Sequence, residues 1–295
     1  MIPQLFRPYQ PNDLPEVQTF LGHCLCTSGL SSWHPGDILY WMSHHYCGRN
    51  LEKHFWLYEQ SGNILALAHV PATVQGELAL VVEARTRDEL EITLLDDCQK
   101  LVRGKTRAPL ITSVATSDTK RGETLKVLGF KEGGVNGVVV KKLLHDLEEP
   151  SLPKGFNIRS VAGEHEATSL AELHSMAFGS DYTSNDYLAV MRTPGFNKEH
   201  ELVMVAPDGR LAAYLIYWLE PVSKAGLFET AACHPEFRGR GLSKALFTEG
   251  MKRMAKAGMR LALLSYGAEN RPAANLYASL GFKTHYEFLE YSLEA

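Results

Sequence analysis

Several residues in the second half of the chain have the types and spacing to do chemistry. Arg238-Gly239-Arg240-Gly241-Leu242-Ser243 stands directly before an amphipathic run, LSKALFTEGMKRMAKAGM. Glycines there let the main chain approach a bulky oxyanion without a Cβ in the way, and the arginines add charge. A strand ending at Cys233 and a helix beginning near Gly241 would aim several backbone N–H groups at one spot, where the helix dipole adds positive potential. The chemistry is that of an anion cradle. An ordinary glycine turn with solvated arginines is the other reading of the same six residues.

Two more groups flank the cradle. Downstream, ENRPAANLYASLGF places Asn270 before a proline-led helix, Tyr277 two turns in and Leu280-Gly281-Phe282 at the end. Upstream, Glu229 lies nine residues before Arg238 on the strand that ends at Cys233. A phenol can donate a proton without being charged beforehand, and a carboxylate can remove one. A thiol can carry an acyl group. For Cys233 the better reading is a small residue filling a strand end, because only the adjacent His234 is on hand to activate it.

The elements that must hold these residues follow from the pattern around them. From Phe156 to Val161 the chain reads as a strand, then as helices to about Arg192, then as strands ELVMVA and LAAYLIYWLE joined by the PDGR turn. A strand GLFETAAC, the cradle and its helix, a strand LALLSY, a helix from Pro272 to Leu280 and closing strands complete an α/β layer fold with a mixed sheet.

With both motifs in view, residues 155–295 resemble the GCN5-related N-acetyltransferase (GNAT) family. Arg238-Gly239-Arg240-Gly241-Leu242-Ser243 matches the family's pyrophosphate signature, with Ser243 where the family has Gly or Ala. The resemblance implies acetyl-CoA as acyl donor, its pyrophosphate on the N–H groups from Arg238 to Ser243 and its pantetheine arm beside Ala231 and Cys233 in an added-strand mode. It implies that an N–H near Cys233 polarises the thioester carbonyl. Tyr277 falls where the family's general acid protonates the leaving thiolate, against a packed helix tyrosine as the plainer reading. Asn270 holds either the cofactor arm or the turn before the helix. Glu229 falls where several members keep a carboxylate that deprotonates the amine; a strand carboxylate facing solvent or paired with arginine fits the sequence equally. The family binds its acceptor on the segment corresponding to MAFGSDYTSNDYLAVMRTPGF, where Asp181 and Asp186 could attract a cationic amine or simply be solvated.

The first half repeats the pattern in worn form. LHDLEEPSLPKGFNIRS reads as a linker with its cut near Pro150, dividing residues 1–150 from 151–295. LKVLGFKEGGVNGVVVKKLL then stands to the first half as LYASLGFKTHYEFLEYSLE stands to the second. Aligned on Leu-Gly-Phe, Asp118 falls at Asn270 and Leu125 at Tyr277. VVEARTRDELEITLL has no glycine and puts Asp88, Glu89 and Glu91 in a first helical turn, where they would repel a pyrophosphate. The expectation is two tandem GNAT-like domains, the first degenerate and not binding CoA in this way.

Composition narrows the alternatives. Apolar residues make up 45% of the 295 and charged residues 22%, the balance of a chain with a buried core. A net charge of −4 without basic runs gives nucleic-acid binding little support. The absence of a signal-like start and of a long apolar run points to a cytoplasmic protein off the membrane. Histidines and cysteines crowd the first 54 residues, yet none has the spacing of a closed zinc site, so no metal is expected. The function read from the sequence is N-acetyl transfer from acetyl-CoA to a small-molecule amine or peptide acceptor by direct transfer. A non-catalytic acyl-CoA-binding sensor is the alternative.

Overall fold

Leu211–Glu220 is apolar at nearly every position, as a strand covered on both faces must be. In the computed structural model, which describes residues 4–27, 33–71, 76–104 and 106–294, it is the centre of the second half. Tyr214, Ile216 and Trp218 enter one core, and Ala213, Leu215 and Tyr217 enter another on the opposite face.

The first half runs β1 (Gln4–Pro8), α1 (Leu14–Thr27), α2 (Pro35–Tyr40), β2 (Phe55–Gln60), β3 (Asn63–His69), β4 (Gly76–Glu77) and β5 (Ala79–Val82). It continues through α3 (Arg87–Arg103), β6 (Leu110–Ala115), α4 (Thr119–Val127) and β7 (Lys131–Leu143). The second half runs β8 (Asn157–Ser160), α5 (Ala167–Phe178), α6 (Ser184–Met191), β9 (Glu201–Val205), β10 (Leu211–Glu220) and β11 (Ala225–Cys233). After it come α7 (Leu242–Lys256), β12 (Leu261–Gly267), α8 (Arg271–Ser279) and β13 (Lys283–Leu293). Helices α1, α2, α5 and α6 cover one face of β10, and α7 covers the other through Leu246, Phe247, Met251 and Met254.

Among the described residues the strands form two sheets, ordered β1-β2-β3-β5 and β4-β6-β13-β7-β12-β11-β10-β9-β8. In the larger sheet β7 runs antiparallel between β12 and β13, with Ser265 opposite Val139 and Phe288 opposite Gly137. β13 in turn lies between β7 and β6, with Phe288 opposite Ala115. Each half therefore sends its last strand into the other half's sheet. Tyr291, near the end of the described chain, is buried in the first half's core with Leu94, Leu110 and Phe130. Where the sequence pattern suggests closing strands in the second half, one eleven-residue strand closes it, and its neighbours come from the first half.

Candidate active site

The site begins with a gap in the sheet. β11 and β12 pair in parallel only from Ala225–Leu227 to Leu261–Leu263, although β11 continues to Cys233 and β12 to Gly267. Beyond those three pairs the strands diverge. On its other side β11 bulges, because Leu215 opposes Ala231 and Tyr217 opposes Phe228, which leaves Glu229 and Thr230 facing Ile216 alone. A bulge re-aims the side chains it carries. Trp218 Nε1 donates to Glu229 O at 2.7 Å, anchoring the bulged main chain.

At the far end of β11 a cavity of about 620 Å³ opens. Its walls include Ala231 and Cys233 from the strand, Arg238, Gly239, Gly241, Leu242 and Ser243 from the cradle, and Asn270 and Tyr277 from α8. Gly239 and Gly241 have φ of 74° and 78°, the left-handed region where glycine is unstrained. The space around both is open, so the dihedral and not crowding demands glycine. Gly241 caps α7 without a side chain, and Ala245 N–H is bonded to Gly241 O, so the N–H groups before it are those a helix start leaves without a partner in the helix.

Arg238 spans from Cys233 O (3.3 Å) to Ala177 O (3.2 Å), tying the cradle to β11 and to the end of α5. Arg240 turns elsewhere, donating to Glu236 O and lying 5.4 Å over the Phe237 ring, which Arg210 also faces at 4.8 Å. Asn270 does the second of its two expected jobs, accepting from Ala273 N at 3.1 Å to cap α8. Lys244 and Phe247 also line the cavity. They sit at the first turns of the amphipathic helix, and nothing in their spacing separates them from ordinary helix positions.

Tyr277 is half-buried, its ring 5.3 Å from Phe247 and 5.6 Å from Tyr266. Burial and the Glu229 charge hold its phenol above the ordinary range, so it is protonated at any physiological pH. Glu229 is pushed up to about 8 by burial and by the carboxylate of Asp37. The Cys233 thiol is raised by burial against the pull of Arg238 and Ser243, the opposite of an activated nucleophile.

Asp37 belongs to the first half. α2 docks on β11 through His34, whose Nε2 meets Ala225 O at 3.2 Å while Nδ1 accepts from Gly36 N at 2.9 Å. Burial lowers that histidine to about 4, so it is neutral. Asp37 accepts from His34 N at 2.7 Å and is pushed up to about 7 by burial. Tyr40, three residues on and on the same helix face, is raised by burial and by Glu229, and Tyr286 of β13 by burial and by Asp37. Asp37, Tyr40 and Tyr286 thus converge with Glu229 where the halves meet. Sequence reasoning missed all three; in the structure His34 and Asp37 of HPGDILY form a capping box at the start of α2. Asp186, an acceptor candidate, is engaged in capping α6 through Thr183, and Asp181 is exposed.

The comparisons meet this geometry at the same residues. Residues 167–282, from the start of α5 to Phe282, match the acetyltransferase (GNAT) family. Over these residues the chain is similar to the GNAT family. Among curated relatives, mycothiol acetyltransferases of Streptomyces avermitilis and Streptomyces coelicolor are 31% and 30% identical over 158 and 155 residues. Those matches cover 51% and 50% of this chain and 50% of each relative, so the chain spans about half the length of the curated relatives it matches. Two solved structures share the fold along the whole chain. A GCN5-related N-acetyltransferase from Sphaerobacter thermophilus has a TM-score of 0.67 at 20% identity, over 100% of this chain and 97% of that one. A tandem GNAT protein from the clavulanic acid biosynthesis pathway has a TM-score of 0.69 at 16% identity, over 99% and 98%. The tandem GNAT architecture expected from the sequence is therefore the fold observed. No helix among the described residues is long and apolar enough to cross a membrane.

Proposed function

We propose that the protein is an acetyl-CoA-dependent N-acetyltransferase whose chemistry sits in residues 151–295. One observation carries the reading: where β11 diverges from β12, an anion cradle and a protonated phenol share one opening, and the Glu229 carboxylate of β11, raised to about 8, is close enough to that phenol for its charge to be felt there. The pyrophosphate lies on the N–H groups of Gly239 to Ser243, and the pantetheine arm extends β11 beside Ala231 and Cys233.

Glu229 takes a proton from the acceptor ammonium, and the free amine attacks the thioester carbonyl. Charge building on the carbonyl oxygen is met by the N–H at Cys233. As the C–N bond completes and the C–S bond breaks, Tyr277 gives its proton to the departing thiolate, and the second proton that the nitrogen must lose to become an amide restores the Tyr277 phenol. Burial suits both residues to these roles, because it leaves Glu229 able to accept a proton near pH 8 and keeps Tyr277 a donor.

The first half does not bind CoA in this manner. Where the second half has its cradle, Arg87 Nε donates to Glu91 (2.5 Å), Arg87 Nη2 to Asp118 (2.5 Å) and Arg121 to Glu91, all largely buried. This ion network fills the ground a pyrophosphate would need. Titration calorimetry with acetyl-CoA tests the assignment: one site per chain, lost in Gly241→Glu, is expected, with thiol release once an amine is supplied. Two sites would refute the degenerate first half, and no binding would refute the enzyme.

A further inference from the structure

A second cavity, of about 680 Å³, lies between the halves and plays no part in the scheme above. Trp33, Trp41, Tyr46 and Phe288 wall it, and Glu77 and Glu290 stand in its lining. Its charge is the reverse of the donor cavity's: Arg238 and Lys244 line the one, whereas among the described residues no lysine or arginine lines the other. Of its two histidines, His45 is lowered by burial, and His69 is bonded to Tyr46 Oη at 2.6 Å with its ring stacked on Trp41 at 4.9 Å. Neither Glu77 nor Glu290 forms an ion pair among the described residues. Aromatic faces beside unpaired carboxylates recognise a cation.

Two ring contacts lead from the cavity's lining toward the reacting centre, Phe288 to Tyr286 and His45 to Tyr40. Tyr286, Phe288 and Glu290 alternate along β13, which pairs in unbroken register with β7 from Tyr286 to Phe288 and with β6 from Phe288 to Leu293, so they share one face, with Tyr286 and Phe288 ring centroids 5.3 Å apart. Tyr286 stands at Asp37, and Phe288 and Glu290 line the cavity. At about 3.3 Å per residue, Tyr286 to Glu290 spans about 13 Å. On the opposite wall the Tyr40 ring lies 5.5 Å from His45.

We infer that the acceptor is a linear di- or oligoamine, with its reacting ammonium at Glu229 and Asp37 and a second ammonium about 13 Å along, between the cavity's aromatic wall and Glu290. The inference rests on the acetyltransferase reading. Only the near nitrogen is acetylated: its first proton passes to Glu229, its C–N bond forms as the thioester C–S bond breaks, Tyr277 protonates the thiolate, and the second nitrogen proton restores the Tyr277 phenol. The far ammonium stays charged and holds the chain in register.

The test compares spermidine with n-heptylamine as acceptors for the full chain. Spermidine is expected to have a kcat/KM at least tenfold higher, and Glu290→Gln to raise its KM at least tenfold with little change in kcat. Equal use of heptylamine, or an unaltered spermidine KM in Glu290→Gln, overturns the inference and leaves acetyl transfer standing. Acetyl-CoA binding without thiol release from either amine counts against the enzyme reading instead. Calorimetry of spermidine with the CoA-loaded protein then decides the cavity, since binding weakened by Glu290→Gln supports it and absence of binding overturns it.

Discussion

Trp218 donates its indole N–H to the main-chain oxygen of Glu229, and the same indole lies against Gly36 at the start of α2. A Cβ built on Gly36 would fall 2.5 Å from both Cβ and Cγ of Trp218. One ring thus sets the distance between a helix of the first half and the bulge that carries the carboxylate. Gly36→Ala is expected to destabilise the fold by about 1–3 kcal/mol, as overpacking does. It should also lower kcat/KM by shifting α2 off β11. Urea unfolding and steady-state rates check both.

Asp37 and Glu229 titrate as a coupled pair, at about 7 and about 8, each raised by burial and Glu229 further by its neighbour. A base raised this far is active only when deprotonated, so kcat/KM should rise with pH through a limb near 8. Asp37→Asn removes the repelling charge and should move that limb to lower pH. A limb that stays in place would remove Asp37 from the site.

Stability carries the same signature with its own sign. Both folded-state values lie above the unfolded ones, so the native state binds more protons than the unfolded chain between about pH 4 and 8. Their contribution is complete below the unfolded values and is lost as pH rises through the folded ones. Denaturant midpoints should therefore fall over this window, and less steeply in Glu229→Gln.

Tyr277→Phe keeps the ring packed against Phe247 and Tyr266 and removes only the proton. A fall in kcat of about 100-fold or more is expected for loss of a general acid, with acetyl-CoA affinity within a few-fold of the parent. Calorimetry beside single-turnover rates separates the two.

The buried network of Arg87, Glu91, Asp118 and Arg121 makes a claim about the first half. Burial would raise Glu91, but Arg121 and Arg87 hold it below the usual carboxylate range. Asp118→Ala leaves Arg87 without one of its two buried partners and should cost about 3–5 kcal/mol. The acetyl-CoA stoichiometry should stay at one site per chain; a second site in the variant would mean that the network occludes a working cradle.

Strand exchange predicts how the halves behave apart. Residues 151–295 alone lack β7, which leaves long edges on β12 and β13 unpaired. That fragment is expected to aggregate when expressed alone and to become soluble with residues 1–150 supplied in trans. A monomeric, folded fragment by gel filtration and circular dichroism would count against the exchange.

Short-range chemistry was what the sequence by itself determined. Gly239 and Gly241 announce a left-handed turn, Asn270 a helix cap and Leu211–Glu220 a central strand, because these depend on dihedral preference and on burial pattern within a few residues. The cradle's turn was legible for that reason, whereas Tyr277 and Glu229 became candidates only through the family resemblance. What only tertiary structure decided is what meets across long separations. β7 and β13 look alike as alternating strands, and nothing local tells either that its partner lies in the other half. Asp37 carries no local signal of its own; only when α2 is laid on β11 does water leave and the Glu229 charge draw near. Burial and proximity, the two causes that bring these carboxylates close to neutrality, exist only once the chain is packed.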